Sequence, residues 1–382
     1  MSDSSSKALL PDGLRDTLPP DAAHEAAIID RLMQIVGARG YERVEPPLVE
    51  FEDSLLDGAG QDVALATFRL MDPVSQRMMG VRADITPQVA RIAATRLIKA
   101  ARPLRLAYAG PVLRVRGDQL RPERQFNEVG VELFGPQQAA ADIEIVSLAA
   151  DALMGVGVKD LSIDLNVPML TPMVCNSVGM DDAKMERARL ALDRKDAAGV
   201  AELGGEAARI LGGLLNAAGP MESALYALSD LDLPDAASDT YERLRLVSRR
   251  ISEAVPNLTL TIDPVENRGF EYYTGLSFTF FARGVRGSLG RGGRYITGIG
   301  AEPAIGFTLF LDSIVRAVGR PKEVQKVFIP FGTTAKTGAD LRGAGWITLS
   351  GLSPEEETED AARQQECTHV LADGKPVALS GD

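Results

Sequence analysis

Apolar positions along this chain follow two periods that alternate, and the switches between them lay out the expected elements. Ala27, Ile28, Leu32, Ile35 and Val36 fall at helical spacing, with Asp21 as the expected N-cap and Gly40 as the stop. Tyr41 to Phe51 is strand-like but carries Pro46 and Pro47, which suits an edge or boundary strand. Phe68–Asp72 and Gln76–Arg82 read as a hairpin, and a helix is expected from Val89 to about Ala100, with Asp84 or Thr86 as a possible cap. Two alternating runs, Leu104–Arg116 and Gln125–Phe134, joined by a charged loop carrying Arg121 and Pro122, predict an antiparallel pair.

The pattern returns to a helix over Ile143–Met154 and to a strand over Asp160–Val167. Residues 181–254 are Ala-rich with paired charges, and Leu211, Leu214 and Leu215 form an apolar stripe, so a helical segment is expected there. Strands follow over Leu258–Asp263 and Tyr272–Phe281, then a strand turning into a helix over 303–316. In the tail, 326–330, 344–350 and a segment starting at Cys367 read as short strands.

Composition narrows the possibilities. The chain has 382 residues, 45% hydrophobic and 25% charged, ordinary for a globular protein. No apolar run approaches membrane-spanning length and the start lacks a signal-peptide core, so a cytoplasmic protein without membrane contact is expected. A net charge of −12 and an isoelectric point near 4.9 argue against a broad polyanion-binding surface. Two cysteines and two histidines argue against a metal centre or a histidine-based triad.

Candidate chemistry gathers between Glu266 and Tyr295. Arg268 brings a fork of donors suited to a carboxylate, while Tyr272 and Tyr273 bring flat walls and hydroxyls, a set that suits a small zwitterionic ligand. Gly290, Gly292 and Gly293 allow close backbone approach. The Gly290-Arg-Gly-Gly-Arg run lacks the Lys-Ser/Thr of a phosphate loop and opens no helix. Glu128 and Glu132, four apart on one expected strand, share a face. On composition alone the first stretch is better described as a core hairpin with Tyr hydroxyls bonded at its rim, and the alternative for Glu128 and Glu132 is a strand with one wet face.

Arg268-Gly-Phe-Glu-Tyr-Tyr-Thr-Gly, with the later Gly-Gly-Arg-Tyr ending at Tyr295, resembles the histidine-recognition motif of histidyl-tRNA synthetases and their relatives. Those relatives include the synthetase-like regulatory subunit of ATP phosphoribosyltransferase. The first helix with its proline-bearing strand resembles motif 1 of class II synthetases, 104–135 resembles motif 2, and 303–316 occupies the place of motif 3. The resemblance implies an α+β fold, a class II aminoacyl-tRNA synthetase-like antiparallel sheet flanked by helices over residues 1–320. It also implies a helical insertion at about 175–255 and a small C-terminal α/β remnant at 321–382.

The same resemblance implies a histidine pocket formed by Asp84, Thr86, Arg114, Glu128, Glu132, Arg268, Tyr272 and Tyr273, with no catalytic residue, metal or cofactor. Asp84 stands where the family has a glutamate, one methylene longer. On the nucleotide side the pattern departs. Arg116 replaces an adenine-reading glutamate, Phe310 a glycine, Asp312 a glutamate and Ser313 the arginine that holds the γ-phosphate. Losing that arginine removes a phosphate clamp, and a phenyl ring in place of glycine crowds the nucleotide.

With a tail short for an anticodon-binding domain, these departures imply that amino-acid activation is lost and that tRNA is not the main partner. The resemblance then points to the regulatory subunit of the short-form ATP phosphoribosyltransferase. It implies a dimer assembled with a separate catalytic subunit into a hetero-octamer, with L-histidine as feedback effector. A divergent active histidyl-tRNA synthetase and a stand-alone histidine-binding adapter remain alternatives.

Overall fold

Two prolines without N–H groups divide the segment after the first helix between two sheets. Glu42–Arg43 pairs in parallel with the strand Leu104–Leu113, whereas Val49–Phe51 joins the hairpin Phe68–Met71 and Met78–Val81 in a separate three-stranded sheet. The computed structural model describes residues 9–57, 63–117, 121–266, 272–319, 325–354 and 358–379. They fall into two compact units, 1–319 and 320–382.

The first unit is built on a nine-stranded sheet. Its order is Glu42–Arg43, Leu104–Leu113, Gln125–Phe134, Pro303–Phe310, Gly290–Ile296, Tyr273–Ala282, Leu161–Asn166, Thr259–Asp263 and Gly219–Pro220. The strands from Leu104–Leu113 to Leu161–Asn166 pair antiparallel throughout. This is the antiparallel sheet flanked by helices that the resemblance implied.

Each central strand alternates between two covered faces. Val131, Leu133, Ile305, Phe307, Phe278 and Ile163 point to one side and pack with the helices Asp21–Ala38, Ala139–Gly155 and Asp235–Ala254. Burying an aromatic ring such as Phe278 there contributes on the order of 2–3 kcal/mol. Tyr108, Phe126, Phe134, Phe310 and Tyr295 point to the other side, where Ile85 and Val89 cover part of the face. Glu128 and Glu132 lie on this second face, in the same alternation as Phe126 and Phe134.

Several boundaries differ from the sequence pattern. Asp21 is the first residue of its helix; Pro20 precedes it and no side chain caps that end. The helix expected from Val89 begins at Thr86 and ends at Thr95. Its start is organised by Asp84, whose Oδ1 accepts from the Thr86 N–H at 2.8 Å, a short local bond that turns the chain into the helix. Arg114 lies just past its strand, in a bridge to Thr67.

Between 181 and 254 the chain is helical, over Asp182–Asp193, Ala197–Ala201, Gly205–Asn216, Met221–Ser229 and Asp235–Ala254. Leu211 and Leu214 are buried as the stripe predicts. Asp181 caps the first of these helices, accepting from the Lys184 N–H. Arg243 on the last helix and Arg294 on the sheet both grip buried Asp142, each at 2.6 Å, and so fasten the helical layer to the sheet.

In the second unit, Lys326–Ile329 lies between Ile347–Ser350 and His369–Ala372, parallel to both. Lys375–Ala378 adds an antiparallel edge. The segment read as one strand from Cys367 is therefore a hairpin, turned at Asp373 and Gly374 with φ of 49° and 74°. Asp-Gly is the pair that accepts such a turn most readily, and it was present in the sequence to be read. Among the described residues, no helix is long and apolar enough to cross a membrane.

Candidate functional site

The second face of the large sheet carries an acidic, tyrosine-lined cleft. Glu132 sits opposite Gly306 on the neighbouring strand, and Glu128 sits opposite Phe310. Gly306 is required: a Cβ there would stand 2.1 Å from Glu132 Oε2 and 2.4 Å from the Val131 carbonyl oxygen. Gly130, between the two glutamates, likewise leaves room for the Tyr108 ring, and Gly293 for the Tyr273 ring. These glycines let the side chains lie across the sheet as a floor.

Both carboxyl groups are out of water, Glu128 at 0% and Glu132 at 2% exposure. Burial, with the Asp84 carboxylate adding to it, pushes Glu128 up to about 8 against the opposing pull of Arg114. Burial also pushes Glu132 up to about 8, although the Tyr295 and Thr86 hydroxyls favour its charged form. Glu132 Oε2 accepts from the Tyr295 hydroxyl at 2.8 Å, and Glu128 Oε2 from the Ile85 N–H at 3.3 Å. Arg114 Nη2 reaches Glu128 Oε1 at 3.5 Å while its Nε donates to the Ala83 carbonyl.

Thr86 and Tyr108 share a hydrogen bond of 3.0 Å, and Tyr108 a further one of 2.7 Å with Thr308. Tyr272 and Tyr273 stack with ring centroids 4.0 Å apart, and Tyr272 meets Tyr295 edge-on at 6.0 Å. The cleft between these groups is open to solvent and narrow, lined among others by Thr86, Glu132, Tyr272, Tyr273, Arg291 and Tyr295. Of the residues singled out in the sequence, Thr86, Glu132, Tyr272 and Tyr273 line this cleft. Asp84, Glu128 and Arg114 stand at its side through the contacts just given. Arg268 lies outside the described residues.

Two pocket residues escaped the sequence pattern. Tyr295 was seen only as the end of a motif, and its hydroxyl is what holds Glu132. Arg291 belonged to the glycine run set aside as a failed phosphate loop, yet it lines the cleft. The period of two was the available signal, because it places Arg291, Gly293 and Tyr295 on one face and Arg294 on the other.

Beside the cleft the same face is filled. Phe310 is 4% exposed and meets Phe126 edge-on at 6.2 Å. The Arg121 guanidinium lies 3.9 Å over the Phe310 ring and 4.8 Å from that of Phe126, while its Nε donates to Asp312 Oδ2 at 3.1 Å. Arg316 donates to Asp312 and to the Ser313 hydroxyl. Asp312 and Ser313 therefore face arginines of their own chain.

The family model of histidyl-tRNA synthetase matches residues 13–314. An ATP phosphoribosyltransferase regulatory subunit of Rhodospirillum centenum is 55% identical over 372 residues, 97% of this chain and 96% of that protein. Another of the same description, from Paramagnetospirillum magneticum, is 53% identical over 97% of this chain and 98% of its own length. Among solved structures, an ATP phosphoribosyltransferase regulatory subunit/histidyl-tRNA synthetase from Bacillus halodurans superposes with a TM-score of 0.83 at 22% identity, covering 97% of this chain and 99% of the other. Histidyl-tRNA synthetase from Nostoc gives 0.79 at 18% identity, covering 98% and 97%. At those identities the structures speak for the fold.

Proposed function

The chain belongs to the family of ATP phosphoribosyltransferase regulatory subunits, on the fold of histidyl-tRNA synthetase, and from that premise we propose that it binds L-histidine in the acidic cleft and reports its presence to a catalytic partner. In this reading it is a non-catalytic subunit of the enzyme that opens histidine biosynthesis. It supports the activity of the short-form catalytic chain and makes that activity sensitive to the end product.

The observation that carries the proposal is the contrast within one face of the sheet. The cleft keeps Asp84, Glu128 and Glu132 around stacked tyrosines, while the adjoining space is taken by Phe310 and by Arg121 paired with Asp312. A carboxyl group held protonated up to about 8 by burial pairs with an imidazole by donating its O–H to a ring nitrogen or, once ionised, by accepting a ring N–H, so Glu128 and Glu132 suit the side chain of histidine. The packed Phe310 ring and the Arg121–Asp312 pair beside the cleft fit binding without activation.

Histidine acts on the partner only through different affinities for two states of the complex. Closing the cleft around the ligand shifts the subunit contacts toward the inhibited state. The assembly in this proposal is a dimer of this chain within a hetero-octamer, located in the cytoplasm.

The test mixes purified chain with a short-form catalytic subunit and follows phosphoribosyl-ATP formation with and without histidine. Activity that rises in the mixture and falls with histidine supports the reading. Unchanged activity rejects it, and exchange of pyrophosphate with ATP in the presence of histidine would instead mark an active synthetase.

A further inference from the structure

Arg291 differs from the structural arginines around it. Arg294, three residues on, donates to Asp142 at 2.6 Å and to the Pro136 and Gln138 carbonyls at 2.9 and 2.8 Å. Arg82 is tied to the Pro111 and Pro46 carbonyls, both at 2.8 Å. Arg102 pairs with Glu302 and also donates to three carbonyls. Those guanidinium groups are each held by several partners of their own chain, as partly buried cations ordinarily are.

No hydrogen bond or ion pair joins the guanidinium of Arg291 to another described residue. It nevertheless lines the cleft, in the fields of the Tyr272 and Tyr273 hydroxyls and the Asp84 and Glu128 carboxyls. Its strand position is opposite Thr308 on one side and Thr279 on the other, one alternation away from Gly293. A single strand, Pro303–Phe310, separates it from the strand that carries Glu128 and Glu132. Two strand spacings amount to about 10 Å.

We infer that Arg291 is the anchor for the α-carboxylate of the bound amino acid, with the ring end of the ligand directed toward Glu128 and Glu132. The inference rests on the histidine reading of the cleft and adds a binding residue to it. A planar fork of donors with no partner of its own is matched by a carboxylate, which accepts two parallel N–H bonds. The cleft then presents one guanidinium and two carboxyl groups around one small space. This arrangement selects a zwitterion over an amine: a ligand without the carboxylate leaves Arg291 unmatched.

The test titrates histidine and histidinol, in which an alcohol replaces the carboxylate, into full-length wild-type protein, Arg291→Gln and Arg291→Lys by calorimetry. Thermal melts of each protein accompany the titrations. Wild type is expected to prefer histidine by about 10- to 100-fold, the range of one hydrogen-bonded charge pair. In Arg291→Gln histidine falls to the level of histidinol, while histidinol itself changes less than about threefold. Arg291→Lys, which keeps the charge without the fork, lies between, and it carries the test alone if the glutamine variant does not fold.

Equal weakening of both ligands in the variants, or histidine binding that is unchanged or tighter in Arg291→Gln, overturns the inference and leaves the histidine reading standing. Wild-type protein that binds neither ligand removes that reading, and this inference with it.

Discussion

One pair of strands builds both the open and the filled halves of the second face, and a single residue in each register decides which is which. Along Gln125–Phe134 and Pro303–Phe310, Glu132 is paired with Gly306 and Glu128 with Phe310, four residues further along. A glycine opposite the first glutamate leaves space over the sheet, and a phenylalanine opposite the second ends that space. The chain's own Arg121 and Asp312 then close the filled half with a buried ion pair. Ligand room in this fold is set by cross-strand neighbours more than by the residues that would touch the ligand.

If the halves are separable, Phe310→Ala should damage stability far more than recognition. The ring is 4% exposed, packed on Phe126 and covered by Arg121, so its loss leaves a cavity and costs about 3–5 kcal/mol. Urea unfolding measures that cost. Histidine affinity, read by calorimetry below the unfolding transition, should change less than about tenfold. Affinity lost in step with stability would mean that the two halves act as one unit.

The acidic half should announce itself in the pH dependence of stability. Glu128 and Glu132 ionise near the ordinary 4.5 when unfolded and near 8 when folded, so between those values the native state binds more protons than the unfolded one. Stability from these two groups is therefore complete below about 4.5, declines as pH rises, and levels off above about 8. The slope has a ceiling of roughly 1.4 kcal/mol per pH unit per group. Melting temperatures across this window should fall for the wild type and run flatter for Glu128→Gln/Glu132→Gln. Parallel curves would remove the titrating groups from the cleft.

Gly306→Ala sharpens the comparison from the open side. The added Cβ meets the Val131 carbonyl as well as Glu132, and backbone yields less than a side-chain tip. A stability cost of about 1–3 kcal/mol is expected, with histidine affinity reduced more than tenfold because Glu132 is displaced. Unaltered binding would show that Glu132 does not need its present position.

How much of this could be read beforehand follows the physics of each signal. The strand alternation of Gln125–Phe134 and the shared face of Glu128 and Glu132 were legible, because a period of two is local. The motif-level resemblance carried the fold class. What stayed hidden was non-local: the sequence does not say that Gly306 faces Glu132, since the two lie 174 residues apart in the chain and their register is settled by packing. Arg291 stays hidden because its run is weighed only against a phosphate loop, which it fails to match, and not laid out as one row of a strand. Helix starts were misjudged where a short local bond, Asp84 to the Thr86 N–H, set the boundary in place of an apolar period.

The smallest expected effect discriminates most finely between the two glutamates. Tyr295→Phe removes one hydroxyl that donates to Glu132 at 2.8 Å and leaves the ring, which is 3% exposed, in place. Losing a bond to a buried carboxyl costs about 1–2 kcal/mol. It also removes a group that favours the charged form of Glu132, so that carboxyl should hold its proton to higher pH. The decline of stability with pH should then extend further upward in Tyr295→Phe than in wild type, and histidine should bind several-fold more weakly near neutral pH. An upward extension that persists when Glu132 is glutamine would assign the titration to Glu128, beside Phe310. In that event the filled half, and not the open one, would set the charge state of the cleft.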